Sequence, residues 1–346
     1  MIDAGRLLPR LRPVPGLVAL AVLAACAKGP AIGPAPPPPR PDNIHHAAES
    51  ADQARLRKAR AQRNRAANEA AGQAVQTSGR TSRQQRLAYA ETEARLLSQG
   101  RLRRDRIPQD APIDAESLTR DFLAIALRDE YSRDGGNLVA SARIAPLRRW
   151  QEPVAMQVEF GASADAATRS LYRTEIGRYA ARLSRISGHP VRLTASGGNF
   201  IVLVLSDDER RRIGPRLARL VPGIPERDIR IIENLDDDNF CTAFAYAQGA
   251  AADYSRAVVL IRAELPPLLR DSCLHEELAQ GMGLSNDSPD ARPSIFNDDE
   301  EFALLTRHDE LLLQILYDRR LRPGMTEAEA APIVRRIAGE LLGESA

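Results

Sequence analysis

The chain has 346 residues, with 48 Lys and Arg against 46 Asp and Glu and a formal net charge of +2. That length suits one large domain or two small ones plus tails. Seven Phe, seven Tyr and one Trp give no aromatic platform for nucleic acid, and no Gly-rich phosphate loop, GxSxG or CxxC occurs. Nucleic acid is therefore not an expected partner.

The charge is unevenly placed. Residues 1–106 hold 19 Lys and Arg against 8 Asp and Glu, and residues 107–346 hold the other 29 against 38, so a basic leader precedes an acidic body. The leader favours anionic surfaces such as lipid head groups or cell-wall polymers. Residues 1–25 read as an export signal: Arg6, Arg10 and Arg12 precede the apolar core Gly16–Ala25, which is too short to span a bilayer. Leu23-Ala24-Ala25-Cys26 resembles a bacterial lipobox, which makes Cys26 the expected lipid-attachment residue. The expected location is a lipid-anchored position on the periplasmic face of the membrane. Ala27, in place of Asp, resembles the sorting pattern for the outer membrane.

Residues 26–112 are expected to form a tether. Its first part is Pro-rich and extended, with Pro34, Pro36 to Pro39 and Pro41. Residues 44–106 are rich in Ala, Arg and Gln and lack an apolar stripe, so disorder or a solvated helix is expected there. The folded domain is expected over 113–330, with a C-terminal helix over 331–346. Asp114 or Ser117 could cap a helix through Leu118, Phe122, Ile125 and Ala126, ended by Asp134-Gly135-Gly136. Val154–Phe160 alternates as a strand does, and residues 164–186 carry Leu171, Ile176, Tyr179 and Leu183 at helical spacing. Val191–Thr194 and Asn199–Leu205 bracket Gly197-Gly198, which is a hairpin signal. A short helix is expected over Ile213–Val221, and strands over Ile229–Ile232, Thr242–Ala247 and Ala257–Ile261. Helices follow at about 265–282, 306–318 and 324–343, the last opening on the capping box Thr326-x-x-Glu329. With Cys26 assigned to the anchor, Cys241 and Cys273 remain. An exported chain meets an oxidising compartment, so a bond between them is expected.

The chemistry concentrates in Cys273-Leu-His-Glu-Glu-Leu-Ala-Gln280-Gly-Met-Gly283-Leu-Ser-Asn286-Asp287. From Glu276 the intervals run Glu276-Glu277-x-x-Gln280-x-x-Gly283-x-x-Asn286, which resembles the HExxHxxGxxH of metzincin zinc proteases with each His replaced by an oxygen-bearing side chain. From His275 the residue four on is Ala279, which cannot bind metal. Ser294-Ile295-Phe296-Asn297 resembles the Ser-(Ile/Val)-Met-Tyr segment of the matrixin type, with Phe296 in place of Met. Leu305-Thr-Arg-His-Asp309 through Leu316-Tyr317 resembles their closing helix. The same motifs, with LRPGM, also resemble an uncharacterised bacterial family, the domain of unknown function 2927, over roughly residues 115–330.

The resemblance implies an α+β, zincin-like fold, a mixed sheet with an active-site helix and a closing helix. It implies Glu277 as the general base and Glu276, Gln280, Asn286 and Asp287 as candidate metal ligands, with His275 in the alternative register. An oxygen donor set suits a hard divalent ion rather than tightly held zinc. The same residues could instead form a hydrogen-bonded polar turn. Three functions follow: an envelope lipoprotein that binds peptide or peptidoglycan with weak or no hydrolysis, an active metallopeptidase or metallohydrolase, and a structural adaptor. Thr306-x-x-Asp309 reads as a helix cap, which makes His308 and Asp309 structural.

Overall fold

The computed structural model describes residues 81–134, 137–247, 252–297 and 299–343. The expected signal segment 1–25, the expected lipid-attachment residue Cys26 and the expected tether as far as residue 80 lie outside the described residues. The framework is a mixed, mostly parallel sheet. It is built from β3 (Arg149–Trp150), β4 (Val154–Phe160), β5 (Val191–Thr194), β6 (Phe200–Leu205), β7 (Cys241–Ala247) and β8 (Asp253–Arg262). The order is β3-β8-β6-β4-β5, all parallel, and β7 runs antiparallel along β8. A separate antiparallel pair joins β1 (Arg128–Asp134) to β2 (Asn137–Ile144).

The central strands explain why both sheet faces are covered. β6 reads Phe-Ile-Val-Leu-Val-Leu and every residue is buried, the continuous apolar run of a parallel strand with helices on both sides. Side chains alternate along it. Phe200, Val202 and Val204 join one core together with Ala257, Val259 and Ile261 of β8. Ile201, Leu203 and Leu205 join a second core with Val258 and Leu260. The second core is closed by α5 (Gly214–Leu220) and α6 (Glu226–Glu233) through Leu217 and Ile232. The larger core takes α2 (Ala115–Ala126), α3 (Ala166–Ser187), α7 (Pro267–Gln280), α8 (Arg307–Leu316) and α9 (Glu327–Leu342). The short α4 (Asp207–Arg210) follows β6. Local side-chain chemistry starts the helices: reciprocal capping boxes stand at Asp114/Ser117, Thr306/Asp309 and Thr326/Glu329.

Several expectations need correction. Residues 82–98 are not a solvated part of the tether. They form α1 (Ser82–Ser98), which buries Gln85, Tyr89, Thr92 and Leu96. These positions fall on one helical face, but only Tyr89 and Leu96 are large and apolar, so no apolar stripe is visible in the sequence. The folded body therefore begins ahead of residue 113. The Gly197-Gly198 hairpin does not form, because β5 and β6 lie on opposite edges of β4. Gly198 crosses over β4 instead: its N–H donates to Gln157 Oε1 at 2.9 Å, and a Cβ on it would sit 2.6 Å from that of Gln157. Asn199 fixes the crossing by accepting from the Ala155 N–H and donating to Pro153 O. Ile229–Ile232 is helical, within α6. Pro225 leads it and Glu226 and Asp228 sit in its first turn, where the helix dipole favours them. α2 stops at Ala126 and the chain turns into β1 rather than staying helical to Asp134. The last helix opens at Glu327 and packs on α2, so no boundary falls at 331.

Cys241 of β7 and Cys273 of α7 form a disulfide with a Cα–Cα separation of 5.9 Å. Among the described residues no helix is long and apolar enough to cross a membrane.

Candidate functional site

The candidate site is built on α7 and the turn after it. Pro266 precedes α7 and supplies no side-chain cap. The cap comes instead from α1: Glu93 Oε2 accepts from the N–H groups of Leu268 and Leu269 at 2.8 and 2.9 Å. A carboxylate there satisfies orphan donors and meets the positive helix end. At the other end, Trp150 Nε1 donates to Gly281 O at 2.8 Å and Tyr317 Oη donates to Met282 O at 2.9 Å. Gly283 has φ +126, and a Cβ on it would lie 2.6 Å from Arg148 O. Neither the left-handed backbone nor the close carbonyl admits a side chain. Gly283→Ala should therefore cost at least about 2 kcal/mol, since backbone strain alone costs about 1–3 kcal/mol. Thermal denaturation followed by circular dichroism reads it, and an unchanged midpoint would contradict this account of the turn.

The side chains divide as follows. Glu276 and Gln280 are one helical turn apart, and Glu277 and Gln280 are buried. Gln280 Nε2 donates to Asp287 Oδ1 at 3.2 Å, so these two predicted site residues are brought together. Asn286 is drawn towards α2. Its backbone N–H donates to Ile125 O, and its Nδ2 donates to Ala124 O and to Asp287 O, both at 2.7 Å. The 3₁₀ turn Ile295–Asn297 packs against α7, with Phe296 fully buried.

His275 is directed to α3. Its ring stacks on Tyr179 at 4.3 Å between centroids, and Nδ1 accepts from the Leu305 N–H at 3.0 Å. Tyr179 Oη donates to His275 O at 2.7 Å. Burial, and then the charge of Arg182, pushes the imidazole down to about 3, so it is neutral at physiological pH.

The donor chemistry does not fit zinc. The two amides act as hydrogen-bond donors, to a carboxylate and to main-chain carbonyls, and among the described residues no thiolate or imidazole joins them. Among the described residues no group of three or more His, Cys, Asp or Glu side chains is placed to hold a metal ion.

A second polar group lies in the core, and only its cap is visible in the sequence. Asp309 Oδ2 accepts from the Thr306 N–H and Oγ1 at 2.8 and 2.9 Å and from the Ile295 N–H at 3.2 Å, while Oδ1 accepts from Ser294 Oγ at 2.6 Å. His308 Nδ1 lies 3.7 Å from Asp309 Oδ1, and Nε2 lies 3.1 Å from Asp121 Oδ2 of α2. All of these residues are buried. Burial alone would lower the His308 pKa, but the flanking Asp121 and Asp309 outweigh it and raise it to about 9.

These two histidines set opposite arms of a pH profile. The reference value for both is 6.5. The contribution of His308 is complete below about 6.5 and is lost as pH rises through about 9. His275 resists protonation, so the unfolded chain takes up the proton first and stability falls as pH drops from about 6.5 towards 3. Unfolding free energy should peak near pH 6.5, with slopes of up to about 1.4 kcal/mol per pH unit on each side. Denaturant titrations between about pH 5.5 and 8.5 measure this. His308→Gln should flatten the alkaline arm and His275→Gln should reduce the acid arm, to which His189, also lowered by burial, contributes the rest; arms undiminished in both variants would refute the assignment.

The fold and site thus define an α+β domain with a mostly parallel sheet and a polar, disulfide-anchored helix–turn on its larger core. The chain belongs to the family described as "Protein of unknown function (DUF2927)", which matches residues 115–336. The match runs from α2 into α9 and includes the whole α7 turn. No curated protein matches the chain.

Proposed function

We propose that the chain is an envelope lipoprotein whose folded body is a zincin-derived scaffold that binds peptide or cell-wall material with weak or no hydrolysis. The observation that carries this reading is the Gln280–Asp287 hydrogen bond. The spacing from Glu276 to Asn286 is that of a zinc-protease helix and turn, yet its amides are engaged in holding the turn together. The order of elements supports the same origin: a mixed sheet, then α7 leading to a Gly turn, then a buried segment under the helix, then α8. β7 supports the binding role. Among the described residues it pairs only with β8, an arrangement that suits addition of a peptide strand along its other edge. The disulfide ties that strand to the helix carrying Glu276, Glu277 and Gln280.

The test is incubation of the full-length chain with peptidoglycan sacculi and with a mixed peptide library. The expected result is co-sedimentation or retention without release of fragments, unchanged in Glu277→Gln. Fragment release that is abolished both by chelation and by Glu277→Gln would replace this reading with the metallohydrolase. Absence of binding to either material would favour the structural adaptor. The anchor has its own test. Cys26→Ala should move the protein from the membrane fraction to the soluble periplasm, and unchanged fractionation would count against lipidation.

A further inference from the structure

The arginines around Glu310 form a second site, on the α3 side of the larger core and separate from the Gln280 turn. An open cleft of about 560 Å³ is lined by Arg104, Arg106, Arg182, Arg185, Arg307 and Glu310. Five arginines and a single acidic residue thus line it. Glu310 is almost fully buried and organises three of them: Arg106, Arg182 at 2.9 Å and Arg307 at 3.3 Å. These three are held further in place by the main chain. Arg182 Nη2 donates to Leu305 O at 3.1 Å, and the Arg307 N–H donates to Arg106 O at 2.8 Å. The side chains of Arg104 and Arg185 are exposed and make no hydrogen bond or ion pair among the described residues. The lining therefore keeps four positive charges in excess. A structural ion-pair network would consume its charges internally; this one leaves two guanidiniums over at the rim.

The chemistry of the excess selects the ligand. Guanidiniums present planar, paired donors that match phosphoryl and carboxyl oxygens. A single carboxylate would leave most of the charge uncompensated. One phosphoryl group carries about −1.5 to −2 near neutral pH and leaves about half of the excess uncompensated, whereas a second, linked phosphoryl group offsets more of it. Apolar Leu304 and Leu305 also line the cleft, which strengthens charge–charge attraction relative to open solvent. We infer that the Arg104–Arg106–Arg182–Arg185–Arg307 cleft binds a diphosphate group, free in solution or on a lipid head group.

Titration calorimetry of the full-length chain with inorganic pyrophosphate tests this. Saturable binding is expected, with inorganic orthophosphate at least tenfold weaker. Arg104→Gln with Arg185→Gln should weaken pyrophosphate binding at least tenfold while leaving the melting temperature unchanged, because neither side chain holds the fold. Arg219→Gln removes an exposed charge from α5, on the other side of the sheet, and should leave binding within about twofold. Heat of binding that is absent, that survives the double substitution, or that falls equally in Arg219→Gln would overturn the site. Competition by a polyprenyl diphosphate in mixed micelles, at concentrations well below those of pyrophosphate, would assign the group to a lipid; equal potency would assign it to a soluble ligand.

Discussion

Asp309→Ala is expected to lower the unfolding free energy by about 3–5 kcal/mol, the range for breaking a buried charged network from one side. Four donors converge on this carboxylate: the N–H groups of Ile295 and Thr306 and the hydroxyls of Ser294 and Thr306. The two N–H groups and the Ser294 hydroxyl would lose their acceptor in a site closed to water, while the Thr306 hydroxyl would keep Pro293 O at 2.8 Å. The His308 imidazolium would also lose one of its two neighbouring carboxylates, leaving Asp121 alone against the cost of burial. Glu329→Ala makes the control, because Glu329 occupies the equivalent position of the capping box that opens α9, where its hydrogen bonds to Thr326 are exposed. Its loss should cost only about 1 kcal/mol, the ordinary value of a surface cap. Guanidinium denaturation of both variants gives the comparison. Equal losses would mean that burial of the Asp309 network adds nothing.

Loss of the disulfide is the second large effect. Cys241 and Cys273 are 32 residues apart, and in the chain-entropy account closing such a loop contributes about 3–4 kcal/mol. The consequence should be local as well as global. β7 is paired on one edge among the described residues, and beyond the β8 ladder it is held by core packing of Ala243, Phe244, Ala245 and Tyr246 and by the bond to α7. Reduction, or paired Cys→Ala substitution, should raise hydrogen exchange in β7 and the first turns of α7 before it does so in β6, which is buried on both faces. An unfolding midpoint indifferent to reductant would remove the disulfide from this account.

What could be read from the sequence was whatever is local in its physics. Val154–Phe160 announces itself by alternation and occupies those residues as β4. Thr306 and Asp309, three residues apart, specify a cap within a single turn, and the cap forms. The cysteine pair followed from counting thiols in a chain expected to be exported. The Gln280–Asp287 contact was foreshadowed by helical spacing and the Gly283 turn. What escaped depends on distant partners. α1 buries Gln85 and Thr92 because Tyr89 reaches Asp237 O and Glu93 caps α7, and none of this leaves a periodic apolar trace. Gly197-Gly198 looks like a hairpin until β4 is seen between the strands that flank it. A short segment such as Ile229-Arg230-Ile231-Ile232, with three apolar residues in four, does not distinguish strand from helix. His275 had the composition of a ligand, and only the position of Tyr179 on α3 shows that its ring is spent on stacking. Asp121 and His308 stand on different helices, so their pairing had no signal at all in the sequence.

Hydrogen bonds from Gln280 and Asn286 hold the α7 turn, and we propose that they stand in place of a bound metal. Zinc stoichiometry measures this most directly: mass spectrometry of the full-length chain after dialysis against zinc and then against zinc-free buffer. The account predicts far less than one zinc per chain, and the same low value in Gln280→Ala. One zinc per chain, lost in Gln280→Ala, would contradict it.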